Sequence, residues 1–134
     1  MKPSTVQDIA RWSGGRLAVG EPSVLCRGVH FDSRSIGEGD VFVALVSERD
    51  GHDFLDAALE RGAAACLISN AEFVATIEAA GAAAIVVEDT LIGFQQWAAN
   101  YRQKLDPTVI AITGSNGKTS TKDLIRAVLE QKFS

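Results

Sequence analysis

The order of apolar and polar positions along the chain predicts alternating helices and strands. The opening stretch "PSTVQDIARWSGG" has apolar residues at roughly helical spacing. It offers Ser4 or Thr5 as a cap and Gly14 with Gly15 as a stop, which predicts a helix. "SVLCRGVHF" and "DVFVALV" have the alternation and the β-branched residues of strands. The polar "DSRSIGEG" between them predicts a loop.

The middle of the chain contains two similar segments, "ERGAAACLI" and "AAGAAAIVV", whose glycines Gly62 and Gly81 are 19 positions apart. Each segment follows an amphipathic helical stretch, ends it with glycine and continues into a short apolar run. Two copies are too few for a solenoid. The pattern therefore predicts two successive αβ units whose strands are buried on both faces of one sheet.

A further helix is predicted over residues 91–104, with a core-facing side formed by Phe94, Trp97, Ala98 and Tyr101. "KLDPT" then interrupts the pattern, because a residue before proline disfavours helical backbone. After it come an apolar strand, "TVIAIT", a glycine-containing loop and a helix from about 118 to 132. The sequence thus predicts a nearly complete α/β domain over residues 1–104 and the start of a second domain over residues 105–134.

Composition excludes several classes of protein. The chain is 46% hydrophobic and 22% charged, which is typical of a globular protein. Its net charge of −4 argues against a nucleic-acid surface. Cys26 and Cys66 match no metal or redox spacing, and the apolar run around Cys66 predicts a buried thiol. With no signal-peptide core and no apolar stretch of membrane-spanning length, the cytoplasm is the expected location.

The stretch "AITGSNGKTSTKD" predicts a phosphate-binding loop, because it lies between an apolar strand and a helix. Glycine lets the backbone N–H groups approach phosphate closely. Lys118 would contact the β- and γ-phosphates, and the Thr119 hydroxyl would ligate Mg²⁺. Ile112 replaces the first glycine of the general pattern, so a turn that contains Gly-Lys-Thr by chance is the open alternative. The predicted nucleotide-binding residues are Gly114, Ser115, Asn116, Gly117, Lys118, Thr119 and Ser120.

The loop "TGSNGKTSTK" resembles that of the Mur ligases, the ATP-dependent amide-forming enzymes of peptidoglycan synthesis, which lack the earlier glycine. "DSRSIGEGDVFVAL" and "DGHDFLDAALERGAAACLI" resemble the amino-terminal substrate domain of the same family. The resemblance covers nearly the whole chain. It implies a small α/β substrate domain that binds a UDP-sugar, with αβ units on one sheet. The first strand, P-loop and helix of a truncated ATPase domain would follow.

Three features favour the family member that adds D-Ala-D-Ala to UDP-MurNAc-tripeptide: "TKD" after the loop, the "HDF" triplet and the "LIGFQQWAANYRQKL" helix. By resemblance, ATP phosphorylates the terminal carboxylate of the tripeptide, and the dipeptide amine attacks the acyl phosphate. Lys118 and Thr119 would be catalytic, with Mg²⁺ held partly by Thr119. The full-length enzyme is expected to be a monomer acting on small molecules, and this chain a fragment that does not turn over alone.

Other functions stay open at this point. The chain could belong to the preceding ligase, which adds the third peptide residue, or could be a non-catalytic module that binds the UDP-substrate. A remnant of a P-loop kinase or GTPase is disfavoured, because such domains usually carry their phosphate loop near the amino terminus.

The resemblance implies four residues on the substrate side: Ser33, Arg34, Ser47 and His52. An arginine suits a diphosphate or carboxylate because its guanidinium binds bidentately. The alternative for Arg34 is a surface pair with Asp32 or Glu38.

The loop that contains Ser47 departs from the family pattern. Ser47 stands where relatives have a glycine, and one residue is missing before Asp50. For His52, the alternative is a place in a helix start with Asp53 near the cap. The nearby carboxylates Glu48, Asp50 and Asp56 are expected to be solvated rather than to form a metal cluster.

Overall fold

The computed structural model describes residues 1–105, in which the predicted helices and most of the predicted strands are present. The helices are α1 (Val6–Ser13), α2 (Leu55–Glu60), α3 (Val74–Ala79) and α4 (Thr90–Leu105). The strands are β1 (Ser4–Thr5), β2 (Arg16–Val19), β3 (Leu25–Cys26), β4 (Val29–His30), β5 (Val41–Val43), β6 (Ala65–Ile68) and β7 (Ala83–Val86). Three short 3-10 helices are Ser33–Ser35, Gly51–Phe54 and Ala71–Phe73.

Five strands form one sheet in the order β2-β7-β6-β5-β4. Strands β4 to β7 are parallel, and β2 pairs with β7 in the antiparallel sense. Helices α2 and α3 connect successive neighbouring strands, which confirms the two predicted αβ units. Strands β1 and β3 form a separate two-stranded antiparallel sheet.

The side chains of the parallel strands point alternately into two buried layers, as the pleat requires. One layer lies between the sheet and helices α1 and α4, and the other lies between the sheet and α2 and α3. Strand β5 shows the alternation, since Val41 and Val43 face the first layer and Phe42 faces the second. The interior strands β5, β6 and β7 are buried on both faces, as their continuous apolar runs predict.

Helix α1 begins and ends where the sequence predicts. The Thr5 side chain accepts a hydrogen bond of 3.1 Å from the Asp8 amide, and Gly14 takes a left-handed conformation with φ of 70° after the last turn. The helix packs on α4, where the Trp12 and Tyr101 rings meet edge to face with centroids 5.9 Å apart. In α4, Trp97 is buried, but Ala98 is exposed, so the prediction that Ala98 faces the core is wrong.

Two features of the sheet differ from the sequence-based expectation. "SVLCRGVHF" forms two short strands, because Cys26 pairs with Ser4 and the next amide, of Arg27, donates to the Gly39 carbonyl at 3.0 Å. Strand β2 is not predicted at all. It is a partly exposed edge strand without strong alternation, and its pairing with β7 defines it.

Residues 106–134 lie outside the described part of the chain, including the predicted strand "TVIAIT" and the predicted helix over 118–132. The domain division at residue 104 stays a prediction. Among residues 1–105, no helix combines the length and apolarity needed to span a membrane.

Both cysteines are fully buried free thiols, as predicted for Cys66. Burial raises the pKa of Cys66 to about 12, and burial together with the nearby Asp40 carboxylate raises that of Cys26 to about 11. The thiolate is the reactive form, so both thiols should resist a disulfide reagent such as DTNB at pH 8. We expect no rapid labelling of the native chain and two labelled thiols per chain in guanidinium chloride. Fast stoichiometric labelling of the native chain would contradict the burial.

Candidate functional site

A surface cleft of about 510 Å³ lies at the carboxyl ends of the parallel strands β4 and β5. One wall is the segment that directly follows β4, and the loop that follows β5 contributes to the other. Open α/β sheets bind their ligands outside the carboxyl ends of the strands, which is where this cleft lies. The lining residues are Phe31, Asp32, Ser33, Arg34, Arg49 and Phe54.

Arg34 is held at the cleft by Asp32. The Asp32 carboxylate caps the 3-10 turn by accepting from the Arg34 amide at 3.0 Å. It also accepts from Arg34 Nε at 3.1 Å and from Nη2 at 2.8 Å. The pairing with Asp32 that the sequence left open is therefore present. The side chain of Arg34 is nevertheless 84% exposed, and three of its five guanidinium N–H groups remain for a ligand.

The charges of the cleft favour an anion. Hydrogen bonds from the Arg34 side chain and backbone lower the pKa of Asp32 to about 2, and Asp32 in turn raises the pKa of Arg34. Both groups therefore stay charged over the physiological range. Arg49 adds a second positive charge, so cations outnumber carboxylates here although the chain carries a net charge of −4. Two arginines beside one carboxylate suit a diphosphate.

Aromatic rings flank the same cleft. Phe31 is 63% exposed and Phe54 is 40% exposed, although burial would stabilise both rings. An exposed aromatic face can stack on a nucleobase. Rings beside two arginines therefore form a surface suited to a nucleotide. The predicted site residues do not include Phe31, Arg49 and Phe54, although their position next to the "DSR" and "GHD" segments is a signal that points to them.

Ser47 lies in the loop of residues 46–50, which forms a tight reverse turn after β5. The Ser47 amide donates to the Arg49 carbonyl at 3.0 Å, and the Gly51 amide donates to the Leu45 carbonyl at 2.7 Å. A Cβ at Gly51 would lie 2.5 Å from that Leu45 oxygen, so glycine is required there. Ser47 is exposed and does not line the cleft, whereas Arg49 does. Contact between Ser47 and substrate stays a prediction.

His52 is buried beneath this loop, with only 2% of its surface exposed. Its Nε2 accepts hydrogen bonds from the amides of Ser69 and Asn70, at 3.1 and 3.3 Å. The ring proton is therefore on Nδ1, which donates to Asp50 Oδ1 at 2.6 Å. The ring also stacks on Phe73 with centroids 5.2 Å apart. Direct contact of His52 with substrate stays a prediction that this geometry does not support, because both ring nitrogens already bind protein atoms.

The predicted helix start around His52 is present. It begins at Gly51 with Asp50 as the cap, and Asp53 lies in the first turn. Within residues 1–105, no cluster of three or more His, Cys, Asp or Glu side chains could hold a metal ion. The predicted nucleotide and Mg²⁺ residues lie outside the described residues, and their roles stay predictions: Gly114, Ser115, Asn116, Gly117, Lys118, Thr119 and Ser120.

The bonds to Asp50 predict an acid-sensitive component of stability. Hydrogen bonds from the His52 amide and ring lower the pKa of Asp50 below its ordinary value of 3.8. The Asp50 carboxylate therefore binds a proton more tightly in the unfolded chain than in the folded chain. This stabilisation is present above about pH 4 and is lost as pH falls through the lower, folded-state pKa.

We expect Asp50→Asn to flatten the decline of stability below about pH 4, measured by urea unfolding at several pH values. Asp8→Asn, at a partly buried helical carboxylate paired with Arg11, is the control. If Asp50→Asn follows the wild-type acid profile, the Asp50–His52 bonds do not stabilise the fold in this way.

Two family models match the chain. The model described as "Mur ligase family, catalytic domain" matches residues 26–102, and the model described as "Mur ligase middle domain" matches residues 112–134. The first match includes every residue that lines the cleft, and the second includes the predicted phosphate loop from Ile112 onward.

Individual relatives agree with these matches. A UDP-N-acetylmuramoyl-tripeptide--D-alanyl-D-alanine ligase of Bacillus subtilis is 40% identical over 131 residues, which are 96% of this chain and 28% of that protein. The solved structure of the corresponding D-alanyl-D-alanyl ligase from Acinetobacter baumannii superposes with a TM-score of 0.77 at 30% identity, over 96% of this chain and 28% of that one.

A second solved structure is that of a MurF ligase from Thermotoga maritima in complex with ADP. It matches with a TM-score of 0.57 at 34% identity, over 79% of this chain and 24% of that one. The chain therefore spans about a quarter of the length of the proteins it matches. The first family match alone covers more than half of the chain. The chain belongs to the Mur ligase family.

Proposed function

We propose that the chain is part of an ATP-dependent amide ligase of peptidoglycan precursor synthesis, which adds D-Ala-D-Ala to UDP-MurNAc-tripeptide. The observation that carries this proposal is the 40% identity, over nearly the whole chain, to a ligase named for that reaction. The proposed location of the reaction is the cytoplasm, as expected from the sequence.

The described domain supplies the site for the UDP end of the substrate. In this proposal the diphosphate binds to the free N–H groups of Arg34 and to Arg49, and the uracil ring stacks on Phe31 or Phe54. Ser33 lines the same cleft and is buried, so its position is fixed by the fold. The local excess of positive charge supports this assignment, because the rest of the chain is acidic.

The phosphate loop supplies the ATP side of the reaction. A free carboxylate is a poor electrophile, so the γ-phosphate is transferred to the terminal carboxylate of the tripeptide, and ADP leaves. The amine of D-Ala-D-Ala then attacks the carbonyl carbon, phosphate leaves and an amide forms. Lys118 would neutralise charge on the transferred phosphoryl group. Thr119 would hold Mg²⁺, whose charge also neutralises the phosphates when it is bound.

Calorimetric titration of the 134-residue chain, separately with UDP-MurNAc-tripeptide and with Mg·ATP, tests the proposal. We expect the sugar nucleotide to bind and UDP to compete with it. Preference for the UDP-MurNAc-dipeptide over the tripeptide would favour the preceding ligase instead. The absence of binding by any UDP compound would overturn the assignment of the cleft.

A further inference from the structure

The Asp50–His52 pair connects the loops that follow two neighbouring strands. Asp50 belongs to the loop after β5, and the amides of Ser69 and Asn70 directly follow β6. His52 binds to both, through Nδ1 on one side and Nε2 on the other. The two nitrogens therefore fix the distance between the loops.

The link uses both nitrogens of the histidine ring, one as a donor and the other as an acceptor. A buried polar ring is costly unless its nitrogens are bonded, and both are bonded here. An apolar ring could fill the same space, but it would leave the two amides without their acceptor. Packing alone therefore does not explain why a histidine occupies position 52, although the stacking of its ring on Phe73 also contributes to its burial.

Among the described residues 1–105, the loop of residues 46–50 has few other attachments. Its other backbone bonds within that range are internal, run to Leu45 at the end of β5, or join Asp50 to the following 3-10 turn: Ser47 to Arg49, the Val46–Asp50 bridge, Gly51 to Leu45 and Asp53 to Asp50. The side chains of Val46 to Asp50 are exposed, so hydrophobic packing does not hold the loop. Its position on the sheet therefore depends on Asp50 and His52, and Arg49, which lines the cleft, moves with it.

We propose that His52, acting through Asp50, is a positioning residue that holds the 46–50 loop and places Arg49 at the wall of the anion-binding cleft. This rests on the proposed function for the identity of the ligand, a UDP-sugar. It assigns to His52 a role at the site without contact to the ligand. A ligand that meets a fixed loop does not have to order it, so fixing the loop strengthens binding.

Asp50→Ala tests the link, because it removes the oxygen that accepts from His52 while leaving Arg49 in the sequence. We expect the affinity for UDP to fall about 3- to 10-fold, since binding must then order the loop. Asp50→Asn keeps an acceptor oxygen and should restore most of the affinity. Thr5→Ala removes a comparable capping side chain from α1, away from the cleft, and should leave UDP binding unchanged.

Hydrogen exchange of the ligand-free chain gives an independent result. We expect Asp50→Ala to accelerate exchange at the amides of Ser47 and Gly51, and Thr5→Ala not to do so. Unchanged exchange at both amides would overturn the proposal, as would equal UDP affinity of Asp50→Ala and Thr5→Ala. If the wild-type chain binds no UDP compound, the proposed function fails, and the exchange result alone decides whether the pair positions the loop.

Discussion

Replacement of Arg34 by alanine is expected to weaken binding of UDP-MurNAc-tripeptide about 10- to 100-fold, the range for loss of a hydrogen bond to a charged group. The side chain is 84% exposed and lines the cleft, so it is available to a diphosphate in spite of its pair with Asp32. The thermal unfolding midpoint should not change measurably, because exposed ion pairs add little stability. Calorimetric titration and a thermal scan of the same sample separate the two effects.

Arg11→Ala is the matched control for Arg34→Ala. Arg11 is also an exposed arginine paired with an aspartate, with its Nη2 2.9 Å from Asp8 Oδ1, but it lies on α1, outside the cleft lining. This variant should bind the substrate as the wild type does. Arg34→Lys should give an intermediate affinity, because lysine keeps the positive charge but lacks the planar guanidinium group that binds bidentately. If Arg34→Ala retained full affinity, the diphosphate would not be bound at this cleft.

Replacement of Phe42 by alanine is expected to lower the free energy of unfolding by about 3–5 kcal/mol. Phe42 is fully buried in β5, an interior strand of the sheet, and its ring fills the layer beneath α2 and α3. Its removal leaves a cavity that neighbouring strands cannot close, since they are fixed by pairing on both sides of β5. Urea unfolding monitored by circular dichroism measures the loss. A domain of this size has a total stability of about 5–15 kcal/mol, so the variant should be close to unfolding at 37 °C.

Phe31→Ala is the matched control, because it is the same substitution at a ring that is 63% exposed. It should change the free energy of unfolding by less than about 0.5 kcal/mol. Its effect should instead appear as weaker binding of the uracil end. Equal destabilisation by the two substitutions would contradict the layered core described above.

The helices and the parallel strands of this fold could be predicted because their signals are local. Apolar runs such as "ACLI" lie between glycine stops and amphipathic stretches. The hydrophobic periodicity and the turn residues therefore indicate the same helices and strands. Strand β2 could not be predicted in this way, because its pairing with β7 decides its conformation. The break at Arg27 likewise depends on a tertiary bond, to Gly39.

For the candidate site as well, local segments could be located from the sequence, whereas contacts that depend on the tertiary fold could not. The resemblance located Ser33 and Arg34 on the "DSR" segment, and both line the cleft. The burial of His52 could not be predicted, because its amide partners lie 17 and 18 positions later and meet it only when β5 and β6 are paired. Arg49 and Phe54 come together at the cleft through the same loop geometry, and in the sequence only their nearness to the "GHD" segment indicates them.

The pairing of β2 with β7 has a consequence for the synthesis of the chain. Arg16 pairs with Val86, 70 positions later, and α1 packs on α4, which follows β7. Because the ribosome adds about 5–20 residues per second, roughly 4–14 s pass between the synthesis of β2 and that of its partner β7. During that interval the apolar face of α1, with Val6, Ile9 and Trp12, has no α4 to cover it. The apolar face of α1 can therefore reach its native burial only after α4 has been synthesised.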